Sequence, residues 1–306
     1  MIQTYRYNNL TWIDLESPTR EEIGKLVKER DLHPLVGENI LSKSSKPRVE
    51  HYGAYLYLVL HIPIRVVKKG DYCVEQKEID FIIGSDFIIT TKYDTIEPLV
   101  NFAKAFETNS IIDRENLGDH AGYIFYYMIK KIYAHMLNDL ESIRSALLTT
   151  EDKIFACEER QMVEVLSDLS RELIDFKQIN RIHKEVLDAF APIAYEFFGN
   201  DFKFYIDDIL REYSKIHEIS ANNRELVVEL RETNDSLLSA KQNEITQVLT
   251  TVAFITFPLS LVAEIFSMST IHNPIIGLPN DFGIVMSIMA GMGIAMIGFF
   301  KYKKWL

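Results

Sequence analysis

Charged and apolar residues alternate at short range along most of this chain, and near its C-terminal end the charges stop. Two stretches, Ile245–Ala263 and Phe282–Phe300, contain no charged side chain. Each runs for about 19 residues, close to the length a helix needs to cross a bilayer. The connection between them is about 18 residues long, a modest insertion on the usual scale. The pattern predicts a two-helix transmembrane hairpin over 245–306, with spans at about 245–266 and 282–300 and a loop at 267–281.

The preceding residues divide into two kinds of pattern. Residues 1–115 read as an α/β domain. Trp12-Ile13-Asp14-Leu15 alternates like a strand, and Tyr55–Leu60, Asp80–Ile83 and Phe87–Thr90 are β-branched and aromatic runs. Gly84-Ser85-Asp86 predicts a tight hairpin turn between the last two. Ser17-Pro18 predicts a cap followed by proline at the first helical position. Residues 116–244 read as a helical domain and stalk, with apolar residues at three- and four-residue spacing near 118–158, 160–192 and 201–244. Pro192 and Gly199 mark the break in that pattern. Nothing interrupts it from Asp201 to Phe266, which predicts one helix of about 100 Å leading into the first span.

That first span carries a stripe. At a period of 3.5 residues it reads Asn243, Thr246, Thr250, Ala253, Phe257, Ser260, Glu264 and Ser267, of which six are polar or ionisable. The opposite face reads Val248, Val252, Ile255, Leu259, Val262 and Phe266. Unsatisfied polar groups are costly in hydrocarbon, so a polar stripe must be hidden from lipid. One hairpin cannot hide it, whereas several copies around an axis can, with the stripe lining water. The plainer alternative is that the hydroxyls bond back to their own helix or pack on the second span. A carboxylate within a span costs roughly 2.5–3.5 kcal/mol on insertion scales and usually marks an ion path. Glu264 facing an axis makes a carboxylate ring, a device for cation selectivity, and Phe257 makes a hydrophobic constriction. Placed near the outer end, Glu264 also has a plain alternative in contact with interfacial water.

Composition narrows the picture further. The net charge is −11, and residues 1–244 alone carry about −12. This argues against nucleic acid as a partner, because phosphate is bound through Lys and Arg; it suits a protein that concentrates cations. Cys73 and Cys157 form no disulfide framework or zinc cluster. The first residues lack the apolar core of a signal peptide. Lys301, Lys303 and Lys304 follow the second span while the loop has neither Lys nor Arg, which predicts both termini in the cytoplasm and a multi-pass protein of the plasma (inner) membrane. No nucleophile–base pair stands out, so an enzyme is not expected and no organic cofactor is implied.

Several segments, taken in order, resemble the CorA family of divalent-cation transporters over nearly the whole chain. They are Trp12–Leu15 with Pro18-Thr19, Lys46–Gly53 with Leu56–Pro63, Asn243-Glu244, Leu249-Thr250, Pro258-Leu259 and Lys303–Leu306. The resemblance implies a funnel-shaped homopentamer in the lipid bilayer. An N-terminal α/β cytoplasmic domain is followed by long α-helices and the two-helix hairpin. The first membrane helix lines the pore and Mg2+ passes largely hydrated. Leu249 matches the narrow hydrophobic part of the pore, with Phe257 and Ser260 above it. Asp208, beside Asp207, matches an acidic position of an interface metal sensor, with Asp86 as a candidate partner. The family signature Gly-Met-Asn is replaced by Ser267-Met268-Ser269. Glu264, where the family usually has glycine, is positioned to supply the lost polar ring. The expected function is a divalent-cation channel with Mg2+ as the default ion. The alternatives are a zinc or other transition-metal transporter, proton-coupled and using Glu264 and His272, or a membrane scaffold or sensor that no longer conducts.

Overall fold

A computed structural model describes residues 2–107, 120–268, 275, 280–303 and 305. The chain forms two compact units, Met1–Arg231 and Glu232–Leu306.

The first unit is built on one sheet of six strands, β1 (Ile2–Tyr7), β2 (Leu10–Glu16), β3 (Arg48–His51), β4 (Tyr55–Lys68), β5 (Asp71–Gly84) and β6 (Phe87–Lys92). Their spatial order is β1-β2-β6-β5-β4-β3, and only the β2–β6 pairing is parallel. The expected hairpin joins β5 to β6, with Ile83 opposite Ile88. A Cβ on Gly84 would lie 2.4 Å from the Phe87 ring, so the turn closes only around glycine. The edge strand β1 is not signalled by the sequence. Its burial pattern is mostly exposed, and pairing with β2 rather than its own hydrophobicity makes it a strand.

Helix α1 (Arg20–Glu29) corrects the expected cap. Thr19, not Ser17, caps it, accepting from the Glu22 backbone while the Glu22 carboxylate accepts from the Thr19 N–H. This reciprocal pair satisfies two otherwise orphaned donors. Pro18 therefore precedes the cap instead of starting the helix. Helix α2 (Pro34–Asn39) joins α1 on one face of the sheet, where Ile23, Leu26 and Val36 pack on Ile13, Tyr57 and Ile89. The opposite face holds Trp12, edge-on to Phe102 and Phe106 of α3 (Glu97–Glu107), and Phe81, edge-on to Phe125 of α4 (Gly122–Phe155).

A polar chain runs through the sheet on that second face. Trp12 Nε1 donates to Thr90 Oγ1 (2.9 Å), Thr90 donates to Asp14 (2.6 Å), and Lys92 Nζ lies 2.5 Å from the other Asp14 oxygen. All four residues are buried. A second cluster joins β4 to β5. His61 Nε2 lies 3.2 Å from Glu78, Gln76 contacts His61 Nδ1 at 3.0 Å, and both Glu78 oxygens accept from the Ser44 N–H. Asp80 shares the Glu78 face of β5, because strand side chains alternate. Its burial, together with the Glu78 charge, holds its carboxyl well above the ordinary range.

Four helices follow in sequence, α4, α5 (Glu159–Asn180), α6 (His183–Phe198) and α7 (Lys203–Ser267). Cys157, at φ 71°, separates α4 from α5, and Gly199, at φ 89°, separates α6 from α7. Gly199 is thus the expected break, but Pro192 lies inside α6. It is exposed, so water can serve the carbonyl that its missing N–H leaves free. The break falls at Arg181-Ile182 instead. The predicted continuous helix is α7, one element of 65 residues that also contains Pro258. Helix α8 (Asp281–Tyr302) completes the second unit.

Candidate functional site

By length and composition, α7 and α8 are both apolar enough over one stretch to cross a membrane. Their side chains agree. Ile245 is 68% exposed, Leu249 69% and Phe257 76%, far more apolar exposure than water tolerates in a contiguous patch.

Within this unit α8 covers one side of α7. Phe254 lies 6.5 Å from Phe300, itself stacked on Trp305. A Cβ on Gly293 would meet Leu259 Cδ1 at 3.9 Å, an ordinary contact. Ile255, Pro258, Leu259, Val262 and Phe266 are half-buried and Thr251 is buried. Val248 and Val252, expected on the same apolar face, are exposed.

The predicted stripe lies on the other side. At 3.6 residues per turn, Thr246, Thr250, Ala253, Phe257, Ser260 and Glu264 fall within about 50° of the direction opposite that covered face. Thr246, Phe257, Ser260 and Glu264 are exposed, while Thr250 and Ala253 are half-buried. Asn243 and Leu249 are exposed at the margins of the stripe, as are Ser267 and Met268 at its end. Ser269 and His272 lie outside the described residues, as does most of the 267–281 loop.

Two hydroxyls follow the plainer expectation of bonding back to their helix. Thr246 donates to the Gln242 carbonyl (2.8 Å) and Ser267 to that of Glu264 (3.0 Å). Such a bond consumes the donor and leaves oxygen lone pairs facing outward. A face of this kind accepts hydrogen bonds, and the water shell of a cation presents donors. The sequence did not single out Thr251, which is 1% exposed with an unpartnered hydroxyl at the α7–α8 contact. Its position one turn before Ile255 was the available signal.

In the first unit, the sensor candidates are already engaged. Asp208 accepts from Tyr126 (2.8 Å) and is paired with Lys130 (3.1 Å) and Arg211 (3.0 Å). Burial alone would raise its carboxyl, but these bonds outweigh burial and hold it below its ordinary value. Asp207 accepts from the Tyr195 hydroxyl at 2.6 Å. Burial and this carboxylate push Tyr195 up to about 12. Asp86 is held through its backbone, where its carbonyl accepts from Thr11 at 3.0 Å. Among the described residues no three His, Cys, Asp or Glu side chains converge on a metal position.

Known proteins share this fold. The chain is 25% identical over 300 residues to the cobalt/magnesium transport protein CorA of Thermotoga maritima, covering 97% of this chain and 83% of the relative. Its fold matches the complete structure of the CorA magnesium transporter from Methanocaldococcus jannaschii with a TM-score of 0.82 at 21% identity, covering 99% of this chain and 94% of that one. The cytoplasmic domain of ZntB from Vibrio parahaemolyticus matches at 0.62 with 10% identity, covering 76% of this chain and 88% of that domain. The family model for CorA-like Mg2+ transporter protein spans residues 7–304. With that match and two candidate spans in hand, the chain belongs to the CorA-like Mg2+ transporter family and is a membrane protein.

Proposed function

We propose that the chain assembles as a homopentameric divalent-cation channel whose pore is lined by the 245–266 part of α7, with Mg2+ as the default ion. The observation that carries this reading is the division of α7 into two sides. Helix α8 covers one side, and on the other Thr246, Phe257, Ser260 and Glu264 are exposed among the described residues. Copies arranged around an axis hide that stripe from lipid and turn it toward water. The names of the relatives, cobalt/magnesium and magnesium transport proteins, favour magnesium over the zinc alternative.

Each position then has a role. The Ser and Thr oxygens of Thr246, Thr250 and Ser260 accept from the water shell of an ion that dehydrates reluctantly. Leu249 and Phe257 form apolar constrictions that close the path by dewetting. Glu264 forms a carboxylate ring near the end of the span and compensates for Ser267-Met268-Ser269, where the family signature has Gly-Met-Asn. For Asp208 to act as a metal sensor with Asp207 and Asp86, an incoming divalent cation must displace Lys130 and Arg211. Residues 1–115, 116–244 and 245–306 serve as cytoplasmic α/β domain, helical stalk domain and membrane hairpin. Both termini lie in the cytoplasm and the protein resides in the plasma membrane.

Flux into proteoliposomes tests the reading, with Mg2+, Co2+, Ni2+ and Zn2+ compared with and without a proton gradient. Saturable Mg2+ entry that is independent of the proton gradient is expected. No flux of any divalent cation would overturn it, and proton-dependent Zn2+ entry without Mg2+ entry would replace it with the transition-metal alternative.

A further inference from the structure

In a chain of net charge −11, one groove gathers four cations among the eleven residues that line it. It has a volume of about 520 Å³ and lies between the α5–α6 junction and α7, wholly within the first unit. Lys177, Arg181 and Lys184 line one wall, spaced four and three residues apart. Arg181 and Ile182 keep right-handed helical angles across the junction, so the three side chains share a face although the helix is broken. Arg224 extends from the α7 wall, one or two turns beyond His217 and Ser220 on the same face.

All four cations are exposed, and among the described residues none of them enters an ion pair. Glu225 is the one carboxylate among the residues lining the groove. Several other cations of this unit are paired, among them Lys92, Lys130 and Arg65 with Asp14, Asp208 and Glu172. Four like charges facing one cavity repel one another and focus a positive potential in it. A second observation is independent of charge. Asn180, 3% exposed, lines the same groove with its carboxamide oxygen unpartnered.

We infer that this groove binds a small molecule bearing a polyphosphate group. Two guanidinium groups suit bidentate contact with phosphate oxygens, and two ammonium groups add point charges. One wall also carries Tyr213 and His217, whose rings lie nearly parallel with centroids 6.4 Å apart. The Tyr213 hydroxyl is committed to the Asn180 carbonyl (3.2 Å), whereas the exposed His217 ring offers a face to a base. The inference does not depend on which cation the membrane unit conducts.

The test uses the full chain in detergent micelles at fixed free Mg2+, titrated by calorimetry with ATP, inorganic tripolyphosphate and AMP. Wild type is expected to bind ATP and tripolyphosphate, more weakly as salt rises, and to bind AMP at least about tenfold more weakly than either. Tighter binding of ATP than of tripolyphosphate identifies a nucleotide, and equal binding identifies the phosphate chain alone. The double variant Arg181→Gln/Arg224→Gln is expected to lose about tenfold or more in affinity, with an unchanged elution volume and melting temperature. Absence of ATP and tripolyphosphate binding to wild type at low salt overturns the inference, as does equal binding by wild type and a correctly folded double variant. A double variant that changes oligomer size, while wild type binds neither probe, assigns the groove to a neighbouring protein surface instead. Salt dependence in wild type keeps the test decisive if the double variant fails to fold.

Discussion

Asp14 and Glu264 are both carboxylates in apolar surroundings, and the two units treat them in opposite ways. Asp14 is 5% exposed and receives a hydrogen bond from Thr90 and a charge from Lys92. Glu264 is exposed on the face of α7 turned away from α8. In the first unit the chain satisfies its own buried charge, since an uncompensated one costs several kcal/mol. In the second unit the chain leaves the compensation to something outside itself, namely water, an ion or further copies. Self-satisfied polar groups such as Asp14 hold the architecture here, and under the proposed function the open ones along α7 mark where the chain acts.

The sharpest way to break this contrast is to remove the partner of Lys92. Asp14→Ala strands a buried ammonium and should cost about 3–5 kcal/mol of stability. A chemical-denaturation curve of the detergent-solubilised chain measures it. A loss below about 1 kcal/mol would remove the distinction between the two carboxylates.

A second test uses pH. Burial, with His61 nearby, lowers His183 from 6.5 to about 3, and its Nε2 lies 3.3 Å from the Tyr133 hydroxyl. A folded-state pKa below the unfolded value means that the unfolded chain binds the proton more readily. The His183 contribution is then complete above about pH 6.5 and declines as pH falls toward 3. Between pH 7 and 5 it should remove about 2 kcal/mol. Asp80 has the opposite sign: its raised carboxyl favours the folded state as pH falls. Comparison with His183→Gln isolates the histidine, and that variant should show a flatter profile over the same range. Identical profiles would show that His183 is not held neutral.

The next prediction concerns function rather than stability. Glu264→Gln should leave unfolding within about 0.5 kcal/mol of the parent, as surface changes usually do. It should lower divalent flux about tenfold, a barrier of about 1.4 kcal/mol. Unchanged flux and selectivity would sink the carboxylate ring.

The smallest effect is expected at the α7–α8 contact. In Gly293→Ala the new Cβ meets Leu259 at 3.9 Å, so stability should move by no more than about 0.5 kcal/mol and flux should persist. Gly84→Ala, whose Cβ would lie 2.4 Å from Phe87, should lose more in the same assay. Equal effects would mean that the contact between the membrane helices is as tightly packed as the sheet.

Local periodicity is read directly from sequence, and this chain has long stretches of it. The 65 residues of α7, the two apolar spans and the stripe from Thr246 to Glu264 were legible because a helix repeats every 3.6 residues whatever surrounds it. The β5–β6 turn was legible for a similar reason, since its signal is confined to a few adjacent residues. What joins distant residues was not. Asp14 and Lys92 meet only because β2 and β6 pair in parallel across 78 positions. The edge strand β1 has no apolar alternation of its own. Pro192 was misread because its cost depends on whether its helix face meets water. The cationic groove needs α7 to return beside a junction more than thirty residues earlier. Even the stripe acquired a direction only when α8 covered the other side of α7. Spacing along one helix decides which residues share a face, but only packing decides what that face meets.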